Sequence, residues 1–334
     1  CQCQRRNARQ VHITSKWFLY RMNVTVITSD SRVWNFAEVC TTIATAIATK
    51  QDLVLDLNGE GPDFETLGLV ELINDYSTKV INCRNTVQKN IDNIVFNICP
   101  NNWINSTRAT LAEVTVNKNI TTAFGMFIGR SNVHRLYLSG YLFANTKSNQ
   151  TFHCDPNEQS HRHNIGLEEL LELYDTKNVD HVFDLIKNGP ITKDKLTYPI
   201  YYTHHHNLYK EYNNFLVDIV CETYYNGNTF YPTEKTWRPI MLSTPFIVQG
   251  PQWYLHRLRD LGFQTFDRWW DEGYAEDPAD HQPHEIVKVI NQLKTKSITE
   301  LSKMYTEMQP VLAHNKERFL ELKSEDFDKC RLVY

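Results

Sequence analysis

The tripeptide Thr233-Glu234-Lys235, followed by Arg238, sets an acid and two cations directly before the apolar run at 244–249. Two kinds of chemistry fit that order. A helix capped by Thr233 and starting at Glu234 presents its positive dipole end to an anion. There the glutamate can accept ribose hydroxyls while the lysine neutralises phosphate. The plainer alternative is a capped helix with a solvated charged face, and the tripeptide taken alone favours it.

The elements around this stretch decide how the charges are held. "FLVDIVCET" (215–223) is β-branched and apolar and reads as a buried strand, as does "TPFIVQG" (244–250). The charged segment therefore lies at a strand-to-helix turn, the edge at which open α/β sheets bind ligands. Further strands are expected at "MNVTVITS" (22–29), "DLVLDLN" (52–58), "TKVINCR", "NIVFNICP", "TTAFGMFIGRSN" (121–132) and "FQTF" (263–266). Helices are expected at 34–50, 65–77, in "VHRLYLSGYLFANT", as a pair over "LEELLELYDTKNVDHVFDLIKNG", in "QWYLHRLRDLG" and along most of the tail from Pro283. Strand and helix alternate as parallel βαβ units do.

A chain of 334 residues exceeds the usual single-core limit, so two domains are expected. The division falls near 118–121. It separates an extension at 1–20 and an N-terminal unit at 21–118 from a second unit at 119–282, with C-terminal helices over 283–334. A hydrophobic share of 41% supports packed cores, and a charged share of 22% argues against global disorder. The net charge of −4 comes without a basic stripe, which disfavours nucleic acid as a partner. No stretch reaches the roughly 18 apolar residues of a membrane span. Eight dispersed cysteines with no CxxC pair read as buried free thiols, which suits a reducing cytosol. Four Asn-x-Ser/Thr sequons, at Asn23, Asn105, Asn119 and Asn149, read as chance matches because the first twenty residues have no signal-peptide core. The initial Cys in place of Met fits a truncated or processed chain.

Taken whole, "FLVDIVCETYYNGNTFYPTEKTWRPIMLSTPFIVQGP" resembles the donor-domain signature of the α1,3-fucosyltransferase family. That signature runs from a strand ending in Phe-Glu-Asn through a gapped aromatic segment to Thr-Glu-Lys, a helix and a strand ending in Gly. Glu222 takes the place of the strand-terminal glutamate, Tyr225 and Asn226 fall in the aromatic segment, and Thr233, Glu234 and Lys235 match directly. Upstream, "FIGRSNVHRLYLSGYL" is similar to the family's strand running into Ser-Asn and then an arginine that opens a helix. It supplies Ser131, Asn132, Arg135 and Tyr137. The resemblance covers about residues 120–270 and is that of a distant branch, such as a viral or environmental one. Thr223 stands where the family has asparagine, and Pro239 falls where its helix continues with Ala-Leu; a proline there implies a bend or a later helix start.

The resemblance implies a glycosyltransferase with two Rossmann-like α/β domains facing a cleft, the GT-B architecture. The co-substrate would be a nucleotide-diphosphate sugar such as GDP-fucose, with a glycan or other hydroxyl as acceptor, and no bound metal or other cofactor. Arg135 and Lys235 would clamp the diphosphate, and Glu234 would hold the ribose. Fixed cations are what a departing nucleoside diphosphate needs, with Arg offering a fork and Lys a point charge.

Inverting transfer also needs a base for the acceptor hydroxyl. "DLNGEGPDFE" (56–65) provides Glu60 between two glycines, then Asp63 and Asp56, although turn chemistry and an acidic helix start explain the same residues. Trp269, Trp270 and Asp271, with Glu272 and Tyr274 beside them, fit a sugar-gripping surface or, equally, a packing cluster. The histidines at 161, 163 and 204–206, with His153 and Cys154, diverge on any regular element and make no ready metal site. Two other readings stay open: a protein that keeps the fold and binds a nucleotide or carbohydrate without catalysis, and a transferase acting on modified DNA bases.

Overall fold

The computed structural model describes residues 24–28, 41, 44–45, 48–49, 52–56, 80–82, 94–96, 102–128, 133–152, 179–189, 191, 208–223, 225, 230–323 and 326–327. Among these residues the protein is mixed α/β with two four-stranded parallel sheets. The first joins β1 (Val24–Thr28), β2 (Asp52–Asp56), β3 (Val80–Asn82) and β4 (Ile94–Phe96) in sequential order. Their register runs from Val24 opposite Asp52 to Asn82 opposite Phe96. Among these described strands the order never reverses. Thr41, Ala44, Thr45 and Ala48 are helical, as the spacing over 34–50 predicts.

The second sheet is built from β5 (Thr122–Ile128), β6 (Asn149–Phe152), β7 (Phe215–Cys221) and β8 (Phe246–Gln249), in the order β6-β5-β7-β8. Every residue of β7 and β8 is buried, which is why both are mainly apolar without alternation, with Asp218 and Gln249 as their polar members. Helix α2 (Val133–Asn145) leads from β5 to β6, and α4 (Glu234–Met241) leads from β7 to β8. The chain therefore leaves β5 toward one edge and returns to β7 on its other side. The β5–β7 junction is the topological switch point of the sheet.

Helix α1 (Asn102–Leu111) precedes β5, and α3 (Asp180–Asn188) packs on α2. After β8 come α5 (Tyr254–Asp260), α6 (Gln282–Leu293) and α7 (Ile298–Glu321). Proline near the start of α6 suits a position whose N–H needs no helical partner. The α7 start carries a full capping box between Ser297 and Glu300.

The sequence division near 118–121 assigns α1 to the first unit, yet α1 packs on α4, and its Ile104 and Leu111 lie in the core around the second sheet. Arg108 of α1 donates to the Phe319 and Leu322 carbonyls at the end of α7, the latter at 2.5 Å. The short strand expected at 263–266 does not form. Gln264 instead exchanges two 2.8 Å hydrogen bonds with the Asn315 side chain of α7, so an amide satisfies the backbone that a neighbouring strand would otherwise pair.

Candidate functional site

Glu222 leaves the end of β7 with its carboxylate fully buried and surrounded by donors. Its Oε1 accepts from Thr233 N at 3.0 Å and Thr236 Oγ1 at 2.6 Å, and the Tyr254 hydroxyl lies 3.2 Å away. Its Oε2 accepts from Thr233 Oγ1 at 2.6 Å and Thr223 N at 3.3 Å. Burial, with the Glu222 charge beside it, raises the Tyr254 pKa well above its ordinary value and keeps that hydroxyl a donor. The carboxylate thus ties the end of β7 to the first turn of α4 and to α5. Both oxygens are engaged within the protein, so Glu222 acts as a structural hub beneath the site.

The first turn of α4 forms where the sequence places it. Thr233 is the N-cap, with extended backbone, and its hydroxyl accepts from Lys235 N at 3.3 Å while donating to Glu222. Pro239 lies inside the helix, which begins at Glu234 all the same and ends at Met241. The Lys235 ammonium uses its three N–H groups on Thr233 Oγ1 and Thr223 Oγ1, each at 3.1 Å, and Glu234 Oε1 at 3.0 Å. Thr223 supplies one of these oxygens.

Arg135, 100 residues upstream of Lys235, sits in the first turn of α2 and is buried to 3% exposure. It lines one cleft together with Lys235 and Arg238. The wall is completed by Met126, Phe127 and Ile128 of β5 and by residues 218–221 of β7, and the space up to the open mouth is about 310 Å³. The cleft occupies the switch point, with three cations drawn from two helices that follow the two central strands.

His134, absent from the sequence candidates, donates through Nε2 to the Glu222 carbonyl at 3.1 Å and stacks on Tyr225 with centroids 3.9 Å apart. Burial, reinforced by Arg135 and Lys235, pushes its pKa well below the ordinary value and keeps it neutral. Tyr137, one turn farther along α2, has its hydroxyl 3.2 Å from His284 Nδ1, and its ring meets His181 edge-on. Asp218 and Tyr212, also unmarked in the sequence, stand behind Arg238. Arg238 Nε donates to the Tyr212 hydroxyl at 2.7 Å, and that hydroxyl donates to Asp218 Oδ2. Burial lifts the Asp218 pKa to about 6, although Arg238, Tyr212 and Lys118 pull it down.

The remaining sequence candidates lie elsewhere. Trp270 is buried against Phe266, with centroids 5.3 Å apart, and Trp269 is partly buried beside the same ring. Asp271 Oδ1 accepts from Gly273 N at 2.9 Å in a local turn, while Glu272 is buried and paired with Arg259 at 2.6 Å. Cys221 is a buried free thiol whose pKa burial raises to about 12. Asp56 ends β2 in register with Thr28. Glu60, Asp63, Ser131, Asn132 and Asn226 lie outside the described residues, as do the histidines at 153, 161, 163 and 204–206 and the other seven cysteines. Among the described residues no helix is long and apolar enough to cross a membrane, and no group of three metal-ligating side chains converges. Compared with known proteins, the chain matches no family model and no curated protein.

Proposed function

We propose that the switch-point cleft binds the diphosphate of a nucleotide sugar and that the protein is a glycosyltransferase of the fucosyltransferase-like kind, inverting and independent of metal. The convergence of Arg135 and Lys235 on one cleft carries this reading. Two short motifs picked out by resemblance, 100 residues apart, supply cations to the same small volume at the place where α/β sheets bind ligands. In the proposed enzyme a second Rossmann-like domain, containing the first sheet, holds the acceptor across a GT-B cleft.

The chemistry follows from the charges. The acceptor hydroxyl loses its proton to a carboxylate, and its oxygen attacks the anomeric carbon. The bond from that carbon to the diphosphate breaks, and the departing oxygen takes the electron pair. Arg135, Lys235 and Arg238 stabilise the charge that develops there. Lys235 is held toward Glu234 by their 3.0 Å pair, and donor binding exchanges that contact, freeing Glu234 for ribose hydroxyls. Glu222 contributes by fixing the α4 turn. We assign the base to Glu60, with Asp63 and then Asp56 as alternatives. Ser131, Asn132, Tyr225 and Asn226 belong to the donor side of the proposed site.

A thermal-shift panel of GDP, UDP and their sugars tests the reading. At least one is expected to raise the melting temperature of the wild type, and Lys235→Ala and Arg135→Ala are each expected to abolish the shift. Glu60→Gln is expected to retain donor binding and lose turnover. No shift with any nucleotide diphosphate would remove the basis for the proposal.

A further inference from the structure

Arg238 is the best-supported cation of the cleft, and its support has a specific form. Its Nε is held by the Tyr212 hydroxyl at 2.7 Å, and its guanidinium carbon lies 5.7 Å from the Phe127 ring centre and 5.8 Å from that of Tyr212. Phe127 stacks on Tyr212 at 5.4 Å with an interplanar angle of 29°, so the two rings brace each other. Tyr212 is fully buried in the short turn Glu211–Asn213 before β7, and its hydroxyl proton goes to Asp218 Oδ2. Burial, with Asp218 adding to it, raises the Tyr212 pKa well above its ordinary value, so the chain from Arg238 through Tyr212 to Asp218 runs in one direction. Burial works against the Arg238 charge, but the Asp218 and Glu234 carboxylates and the bond to Tyr212 outweigh it.

Asp218 is itself part of the cleft wall. We propose that Tyr212 and Asp218 are positioning residues that lock Arg238 as the third cation of the cleft, and that Asp218 couples anion binding there to proton uptake. The inference rests on the reading of the cleft as an anion site. The titratable and charged groups around Asp218 are Tyr212 from the preceding turn, Arg238 and Lys235 from α4, Arg135 from α2, Cys221 from its own strand, and Lys118 from the segment before β5. Lys118 lies in turn against the Tyr305 ring of α7 at 5.5 Å. The neighbouring strands meet Asp218 at Gly125 and Phe246, neither of which titrates.

An anion entering beside an ionised Asp218 meets repulsion, and protonation removes it. The carboxyl titrates near 6 when the cleft is free, so a bound anion raises that value. Affinity should be flat well above neutrality, increase as the pH falls, and level off below about 6. A rise of one pKa unit on binding corresponds to about a tenfold gain in affinity across that window. A side chain with a purely structural role would not link binding to protons.

Isothermal titration of the whole chain at several pH values tests this, using a nucleotide sugar whose diphosphate keeps constant charge over the range; inorganic pyrophosphate, which itself titrates near neutrality, serves only to show anion binding. Repeating each titration in buffers of different ionisation enthalpy counts the protons taken up. The wild type is expected to take up protons near neutrality. Because the Lys118 ammonium also titrates near 7, the test is run with Lys118→Met: that variant alone is expected to keep the uptake, and adding Asp218→Asn, which keeps an acceptor oxygen for Tyr212, is expected to abolish it. Tyr212→Phe is expected to weaken binding about tenfold, the value of one good hydrogen bond to a charged group, and to add nothing once Arg238→Lys is present. Wild-type binding without proton uptake overturns the inference, as does an additive Tyr212→Phe effect, and either leaves the proposed function standing. Pyrophosphate binding without nucleotide-sugar binding removes the proposed function alone. Failure of the wild type to bind either probe overturns both.

Discussion

At the residue scale the donors around Glu222 carry the greatest consequence. Five hydrogen-bond donors surround one buried carboxylate, drawn from Thr223, Thr233, Thr236 and Tyr254. Glu222→Gln replaces an acceptor with a donor that faces donors, which should cost about 2–4 kcal/mol in urea unfolding. Lys118 offers a second test. It is partly buried, it donates to the Phe215 carbonyl at 2.8 Å, and its pKa falls from 10.5 to about 7, chiefly through the desolvation of its ammonium and in spite of Asp218. Between those two values the unfolded chain holds the proton that the folded chain has released. Stability should therefore rise with pH from about 7 to 10.5 on account of this group. Lys118→Met should abolish that contribution when unfolding is followed across the range. Neither role is legible in the sequence, because the partners of Glu222 and Lys118 reach them only after folding. Glu222 follows the last residue of β7, and its contacts make it a hub that ties that strand to α4 and α5.

At the element scale α4 depends on close approaches at both ends of the site. A Cβ on Gly250 would sit 2.7 Å from the Tyr254 ring, the ring that carries the hydroxyl toward Glu222. A Cβ on Gly125 of β5 would come within 2.5 Å of the Phe215 ring, which packs on Tyr212. Gly250→Ala should displace Tyr254 and destabilise the fold by about 1–3 kcal/mol, measured by thermal unfolding. The elements here were largely readable. Thr233 followed by Glu and Lys announces an N-cap, and the β-branched apolar runs, interrupted in β7 by Asp218 alone, announce β7 and β8. The segment at 263–266 was not, since its alternation is that of a strand while its backbone bonds go to Asn315, about fifty positions later. Pro239 raised the expectation of a bend or a later start. The helix begins at Glu234 regardless, because Thr233 and Glu222 fix the first turn before the proline is reached. The Arg238 partner Tyr212 lies 26 residues earlier, beyond any local pattern.

At the scale of the whole molecule, α7 holds the second core together. Its Phe319 stacks on Trp237 of α4 at 5.0 Å, beneath the Arg108 guanidinium of α1 at 5.2 Å. Tyr305 donates to the Ser243 carbonyl at 3.2 Å, just beyond the end of α4. Phe319→Ala should cost about 3–5 kcal/mol and loosen α4 with it, visible as faster hydrogen exchange over 234–243. The same dependence links the C-terminal helix to the cleft, because Lys235 and Arg238 both ride on α4. The central claim is that Arg135 and Lys235 act on one anionic ligand, and a double-mutant cycle tests it most directly. Isothermal titration of the tightest-binding nucleotide sugar into the wild type, Arg135→Ala, Lys235→Ala and the double variant measures their coupling. Each single change is predicted to weaken binding by about 2–5 kcal/mol, with the double variant falling short of their sum because the two cations share one diphosphate. Unchanged binding in either single variant, with the fold intact by circular dichroism, would contradict the account.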